Sequence, residues 1–251
     1  MPSEFRTHRP PLTRPTLENT MSAVAIILAR GGSKRIPRKN VRPFLDEPVI
    51  HYPIKAALES GCFDEVMVST DDDEIAEISI AAGAVAPFRR SAANSDDHST
   101  TTSALLEVIQ QYRDAGREWD VVCGMYAATP LVTARHLRDG RDLLLASDQH
   151  DTVMPVIRFG YPIQRAFGIN DGLLRLMHPE NQFTRSQDLT PAYHDAGQWY
   201  WMRRASFEKH QRVFMDQCVP LVLSEMEVQD IDNEDDWKLA EVKHTLNRRK
   251  P

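Results

Sequence analysis

The 251-residue chain lacks any long hydrophobic run; the longest, Ala23 to Ala29, is a small fraction of the roughly 20 apolar residues that a membrane-spanning helix needs. No membrane partner is expected. Cysteine is scarce: Cys62, Cys123 and Cys218 are dispersed and form no C-x-x-C pair. That excludes a disulfide framework and a cysteine zinc site, and it fits a reducing cytosol, so a cytoplasmic location is expected. There is no excess of positive charge, with 30 Lys and Arg against 36 Asp and Glu and a formal net charge of -6. Nucleic acid is therefore not the expected partner, although a local basic loop could still hold one nucleotide. Internal repeats, low-complexity tracts and the apolar core of a secretory signal are all missing.

What remains is an ordinary globular composition, 41 % hydrophobic and 26 % charged. Residues 1–20 stand apart, with four prolines and little apolar content, and read as a disordered extension or, alternatively, a docking arm. Beyond them, β-branched runs alternate with helical periodicity. Ala23–Ala29, Glu65–Ser69, Asp120–Tyr126, Thr152–Arg158 and Val219–Ile231 read as strands. Val49–Ser60 (stopped by Gly61), Asp73–Ala82, Thr101–Tyr112, Thr133–Ala146 (weakened by Gly140) and Glu234–Leu246 read as helices. The alternation predicts an α/β fold, a Rossmann-like and mostly parallel sheet with helices on both faces. From Phe159 to Arg204 the helical period gives way to prolines, glycines and aromatics. The expected organisation is a core of residues 21–158 and 205–251 with a small β-rich insertion at 159–204. In such sheets ligands bind beyond the carboxyl ends of the strands, here the loops after Ala29, Ser69 and Tyr126.

The first of those loops is the most informative. Arg30-Gly31-Gly32-Ser33-Lys34-Arg35-Ile36-Pro37-Arg38-Lys39-Asn40 follows a buried strand and sets five cations around two glycines. Consecutive N–H groups there can form an anion nest, and Arg and Lys side chains can cradle phosphates. It is neither G-x-G-x-x-G nor a Walker loop; the plainer reading is a solvated basic loop. Ser69-Thr70-Asp71-Asp72-Asp73 reads locally as a helix N-cap. Near the other end, Asp230 and Asp232 lie two apart at an expected strand end, which would place both carboxylates on one face. Two hard oxygen ligands suit Mg²⁺, while an acidic helix start is the alternative.

The segment A-R-G-G-S-K-x-I-P-x-K-N resembles the signature of acylneuraminate cytidylyltransferases, and similarity to that family's pattern extends over nearly the whole chain from Met21. The resemblance implies a CTP-binding site: Arg30, Gly31, Gly32, Ser33, Lys34 and Asn40 around the nucleotide and its phosphates, with Lys34 and Arg30 stabilising charge during transfer. Arg90, Thr101 and Tyr126 fall on further nucleotide positions, although Tyr126 stands where relatives carry glutamine and a core tyrosine is as good a reading. Capping is the plainer role for Thr101. The Asp230-Ile231-Asp232 segment matches the family's metal pair, implying Mg²⁺ or Mn²⁺ as cofactor. Arg185-Ser186-Gln187-Asp188-Leu189 and Tyr193-His194-Asp195-Ala196-Gly197-Gln198-Trp199-Tyr200-Trp201 resemble the pseudaminic-acid branch. They imply sugar contacts from Arg165, Arg185, Gln187, Tyr193, Asp195, Gly197 and Gln198. The implied partners are CTP and an acidic nonulosonate, with a homodimer whose contact lies within 159–204. The implied activity joins CMP to pseudaminic acid or a related nonulosonate, for surface glycans or flagellin glycosylation. N-acetylneuraminate, legionaminate or KDO are alternative sugars, and a non-catalytic nucleotide-binding partner module is the alternative of another class.

Overall fold

The computed structural model describes residues 21–96 and 99–248; the expected extension 1–20 and Asp97 of the acidic loop lie outside the described residues. In chain order the elements are β1 (Ala23–Leu28), β2 (Pro43–Phe44), β3 (Glu47–Pro48), α1 (His51–Ser60), β4 (Glu65–Ser69), α2 (Asp73–Ala81), α3 (Thr101–Asp114), β5 (Val121–Tyr126), α4 (Ala134–Leu145), β6 (Thr152–Arg158), β7 (Phe167–Asn170), β8 (Leu173–Leu176), β9 (Tyr193–Asp195), β10 (Trp199–Arg203), α5 (Arg204–His210), β11 (Cys218–Leu223) and α6 (Glu234–Arg248).

The central sheet has seven strands in the order β11-β6-β10-β5-β1-β4, with β9 also paired to β6. β1 runs parallel to both β4 and β5, and β11 parallel to β6, whereas β9 and β10 are antiparallel. The mostly parallel sheet expected from the sequence is present, with two small antiparallel pairs, β2–β3 and β7–β8, beside it. Strand alternation divides the core between the faces. Ala25 and Ile27 join Ile54, Ile75 and Leu137 on one face, while Val24 and Ile26 join Leu105, Val108 and Phe207 on the other.

The stretch 159–204 differs from its expected form. Only residues 159–192 lie outside the central sheet; β9 returns to β6, and β10 inserts between β5 and β6. The reason is apolar burial on both faces: Trp199, Tyr200, Trp201 and Met202 are all at most 3 % exposed, which only a central strand can satisfy. Gly140 of α4 makes this possible. A Cβ there would sit 2.4 Å from the Trp199 ring, so the glycine that weakens the helix lets α4 lie against the strand.

β11 also stops earlier than expected, at Leu223, where Ser224 and Glu227 form a capping box around a short 3-10 turn. Asp230 and Asp232 therefore lie in the loop before α6 and owe nothing to strand alternation. At α6 itself, Asn233 accepts from the N–H groups of Asp235 and Asp236 at 2.9 and 3.0 Å, and Asp236 accepts from those of Asp232 and Asn233. Asn233 and Asp236 do the capping, which leaves the two earlier carboxylates outside it.

Candidate active site

β1 has β4 on one side and β5 on the other, and the chain reverses direction across the sheet between them. Such a switch point opens a crevice at the carboxyl ends of the strands. A cleft of about 460 Å³ lies there, lined by Leu28 and Arg30 after β1, by Tyr126 to Thr129 after β5, and by the start of α3. Asp195, Gly197 and Tyr200 of the antiparallel strands and Asp230 close its far wall.

The cleft gathers three cations. Arg30 donates to the Asp96 carbonyl at 2.7 Å, and its own carbonyl accepts from the Asn40 amide at 2.9 Å. Lys39 donates to the Ile231 carbonyl at 2.9 Å; burial pulls its ammonium below the usual lysine range, opposed by Asp230 and Asp232. Arg90 is 7 % exposed and donates from Nε to Ser69 Oγ at 3.1 Å, while its buried Nη2 has no hydrogen-bond partner among the described residues. Burial also lowers its guanidinium pKa, against the raising influence of Asp71 and Glu107. An orphaned, desolvated guanidinium facing a cleft is costly unless a ligand completes it.

Of the residues expected around the nucleotide, Arg30, Asn40, Arg90, Thr101 and Tyr126 line this cleft. Gly31, Gly32, Ser33 and Lys34 do not. The N–H of Gly31 donates to Asp71 Oδ1 at 2.9 Å and that of Ser33 to the Gly31 carbonyl at 3.1 Å, so these two amides of the expected nest are turned onto the protein. Gly31 is needed for close approach, since a Cβ would stand 2.8 Å from the Asp72 carboxylate. Asp72 is the N-cap of α2, the local role expected for the acidic triplet. Arg38 is drawn away from the cleft to Asp72 and Glu74. Thr100, not Thr101, caps α3, which frees the Thr101 hydroxyl to meet the Tyr126 hydroxyl at 2.7 Å.

The expected sugar residues separate. Asp195 and Gly197 line the cleft. Gln198 does not: it is 1 % exposed and donates to the Glu227 carbonyl at 2.9 Å, tying the 195–198 turn to the segment that leads to Asp230. Arg185 pairs with Asp188 at 2.7 Å, and Arg165 donates to Ser186 Oγ at 3.3 Å. Gln187 lines a second cleft, bounded by Arg158 to Pro162, Ser186 to Ala192 and Glu225. Tyr193 is 47 % exposed and borders neither. The pattern of β-rich residues could not show which side of the sheet they reach. Several cleft residues went unassigned in the sequence, among them Lys39 and Tyr200. Lys39 was visible as the Lys-Asn ending of the basic loop, whereas Tyr200 stood out only as part of the segment 193–201.

Among the described residues no group of three or more His, Cys, Asp or Glu side chains could hold a metal ion. Two carboxylates do converge. Burial and then the neighbouring Asp232 raise the Asp230 pKa, with Lys39 opposing, and Asp232 pairs with exposed Arg35 at 2.7 Å. Two hard oxygens beside a phosphate-sized cleft fit Mg²⁺, which takes one or two carboxylates and completes its shell with water and phosphate. No helix among the described residues is long and apolar enough to cross a membrane.

Residues 24–234 match the family model described as "Cytidylyltransferase". The chain is 39 % identical over 228 residues to the pseudaminic acid cytidylyltransferase of Campylobacter jejuni subsp. jejuni serotype O:23/36, covering 90 % of this chain and 98 % of that protein. It is 28 % identical over 235 residues to the CMP-N,N'-diacetyllegionaminic acid synthase of Legionella pneumophila subsp. pneumophila, covering 91 % and 98 %. In fold it is similar to a CMP:2-keto-3-deoxy-manno-octonic acid synthetase solved with CTP, at a TM-score of 0.66 and 17 % identity over 91 % of this chain and all of that one.

Proposed function

The chain belongs to the cytidylyltransferase family and is a nucleotidyltransferase, and from that premise we propose that it joins CMP from CTP to pseudaminic acid, releasing pyrophosphate. The observation that carries this reading is the buried Arg90 guanidinium, whose Nη2 has no partner among the described residues, set with Arg30 and Lys39 in a cleft at the switch point of the sheet. A triphosphate supplies anionic oxygens to a cleft lined by three cations. The choice of sugar rests on the 39 % identity to the Campylobacter enzyme and on the sequences of residues 185–189 and 193–201; N-acetylneuraminate, legionaminate and KDO are the competing acceptors.

In the proposed reaction the anomeric 2-hydroxyl of the sugar attacks the α-phosphorus of CTP in line, and the bond to the β-phosphate oxygen breaks. Arg30, Lys39 and Arg90 offset charge on the nucleotide and on the leaving pyrophosphate, and Lys34 can approach from the outer loop. Asp230 and Asp232 would hold Mg²⁺, or Mn²⁺ in its place, which when bound neutralises phosphate charge and positions the phosphates. The aromatic and aliphatic side chains exposed on β7, β8 and the residues after them, including Phe167, Ile169 and Leu174, support a homodimer formed through this region.

The test is pyrophosphate release from CTP and Mg²⁺ with a panel of nonulosonates. The highest kcat/KM is expected with pseudaminic acid. Preference for N-acetylneuraminate would overturn the sugar assignment, and no release with any of them would overturn the activity.

A further inference from the structure

Three hydroxyls, those of Thr101, Tyr126 and Tyr200, line the cleft together with the Asp195 carboxylate. Tyr200 donates to Asp195 Oδ2 at 2.5 Å, and the other carboxylate oxygen, Oδ1, accepts the Gly197 N–H at 2.8 Å. The rings of Tyr126 and Tyr200 meet edge-on with centroids 6.0 Å apart. The Thr101 hydroxyl lies 2.7 Å from the Tyr126 hydroxyl. An ionised carboxylate only accepts, so Tyr200 must give it its single proton, whereas either hydroxyl of the Thr101–Tyr126 pair can donate. Tyr200 keeps its proton throughout, because burial first, and then Tyr126 and Asp195, hold its phenol far above the usual tyrosine range.

Asp195 is exposed on the cleft wall, and the other carboxylates there have different partners. Asp96 Oδ1 takes both the N–H and the hydroxyl of Ser99, at 2.7 and 2.6 Å. Asp230 lies beside Asp232 and Lys39. His194, the neighbouring titratable group, points to the opposite side of β9, where its ring meets Phe159.

Building on the proposed function, we propose that Asp195 is the general base of the transfer and that Tyr200, backed by Tyr126, is its positioning residue. As the sugar's 2-hydroxyl oxygen bonds to the α-phosphorus, its O–H bond breaks and the proton passes to Asp195, while the bond to pyrophosphate breaks and its electron pair leaves with the pyrophosphate. The carboxylate is held by Tyr200 and Gly197 with lone pairs still facing the cleft. Protons, charge and atoms balance without any further reactant.

The assay is steady-state pyrophosphate release, with CTP affinity measured separately by calorimetry and run on whichever nonulosonate the wild type converts. Asp195→Asn should lower kcat by about 10²–10³-fold, the usual contribution of a positioned base, with CTP affinity and sugar KM within about two-fold of wild type. Asp195→Ala should regain turnover with rising formate concentration, because a small carboxylate can enter the vacated space; a purely structural role would give no such rescue. Tyr200→Phe should lower kcat about ten-fold with CTP affinity unchanged, as expected for a lost hydrogen bond to a charged acceptor. An Asp195→Asn kcat within three-fold of wild type, a loss confined to sugar KM, or no formate rescue overturns the assignment while the proposed function stands. A wild type that converts no nonulosonate overturns both.

Discussion

Replacing Arg90 by methionine separates stability from ligand binding in one side chain. Arg90 is 7 % exposed, with one hydrogen bond to Ser69 and an unpartnered Nη2. In the free protein its desolvation costs several kcal/mol, and among the described residues no carboxylate hydrogen-bonds to it. Methionine of similar length removes that cost and leaves the Ser69 hydroxyl without its donor, a loss of about 1 kcal/mol. The apo protein is therefore expected to melt at the same temperature as wild type or higher. Nucleotide binding should suffer in the opposite sense. Loss of a buried, charge-assisted contact costs about 2–5 kcal/mol, which weakens CTP binding between about 30-fold and about 5,000-fold. At CTP near 100 times the wild-type Kd, binding adds about 2.7 kcal/mol of stability, or roughly 5–10 °C in Tm for a domain of this size. The variant should show about 3 °C or less. Scanning calorimetry with and without CTP reads both effects. An apo Tm lowered by more than about 5 °C together with a wild-type CTP shift would refute the reasoning, because Arg90 would then be a structural cation rather than a ligand-binding one.

Four further outcomes follow from particular contacts. Gly140→Ala would stabilise a free helix by up to about 1 kcal/mol, yet here its Cβ meets the Trp199 and Trp201 rings at 2.4 to 2.9 Å, so a net loss of about 1–3 kcal/mol by thermal unfolding is expected; a raised Tm would refute the packing argument. Asp232→Ala should abolish Mg²⁺-dependent turnover while leaving far-ultraviolet circular dichroism unchanged, and retained activity would remove the metal assignment. Burial lowers the His136 pKa in the folded chain, so below about pH 6.5 the unfolded chain binds more protons and stability falls with pH. His136→Gln should shrink the Tm loss between about pH 7.5 and 5.5, and an undiminished loss would show that other groups carry it. Leu174→Glu, placed on an exposed apolar strand, should give a monomer by light scattering; an unchanged dimer would move the contact elsewhere.

Local chemistry was legible in the sequence wherever a short segment completes its own structure. The basic loop after β1 declared itself through paired glycines among cations, and Arg30, Lys39 and Asn40 of that loop do line the cleft. Asp72 was readable as an N-cap because capping involves only the next three residues. Thr101 could not be separated from Thr100 in this way, since its partner, the Tyr126 hydroxyl, lies 25 residues along the chain. Tyr200 stood out only as part of the segment 193–201: its ring sits in a run of buried aromatics that reads as core, and only its pairing with Asp195 reveals a polar task.

The sequence by itself determined the strand–helix alternation, the parallel centre of the sheet, the cationic loop after β1 and the family, because each depends on periodicity or on contiguous residues. The tertiary structure decided that β10 enters the sheet between β5 and β6, bringing Tyr200 and Gly197 to the cleft and Asp195 with them. It also decided that Arg185 and Gln198 face other partners, and that Asp230 and Asp232 meet Lys39 from a loop rather than a strand. Those outcomes turn on which distant surfaces bury against one another. Burial of Trp199 and Trp201 against α4 is a long-range bargain with Gly140, about 60 residues away, and no local pattern in either segment contains the other.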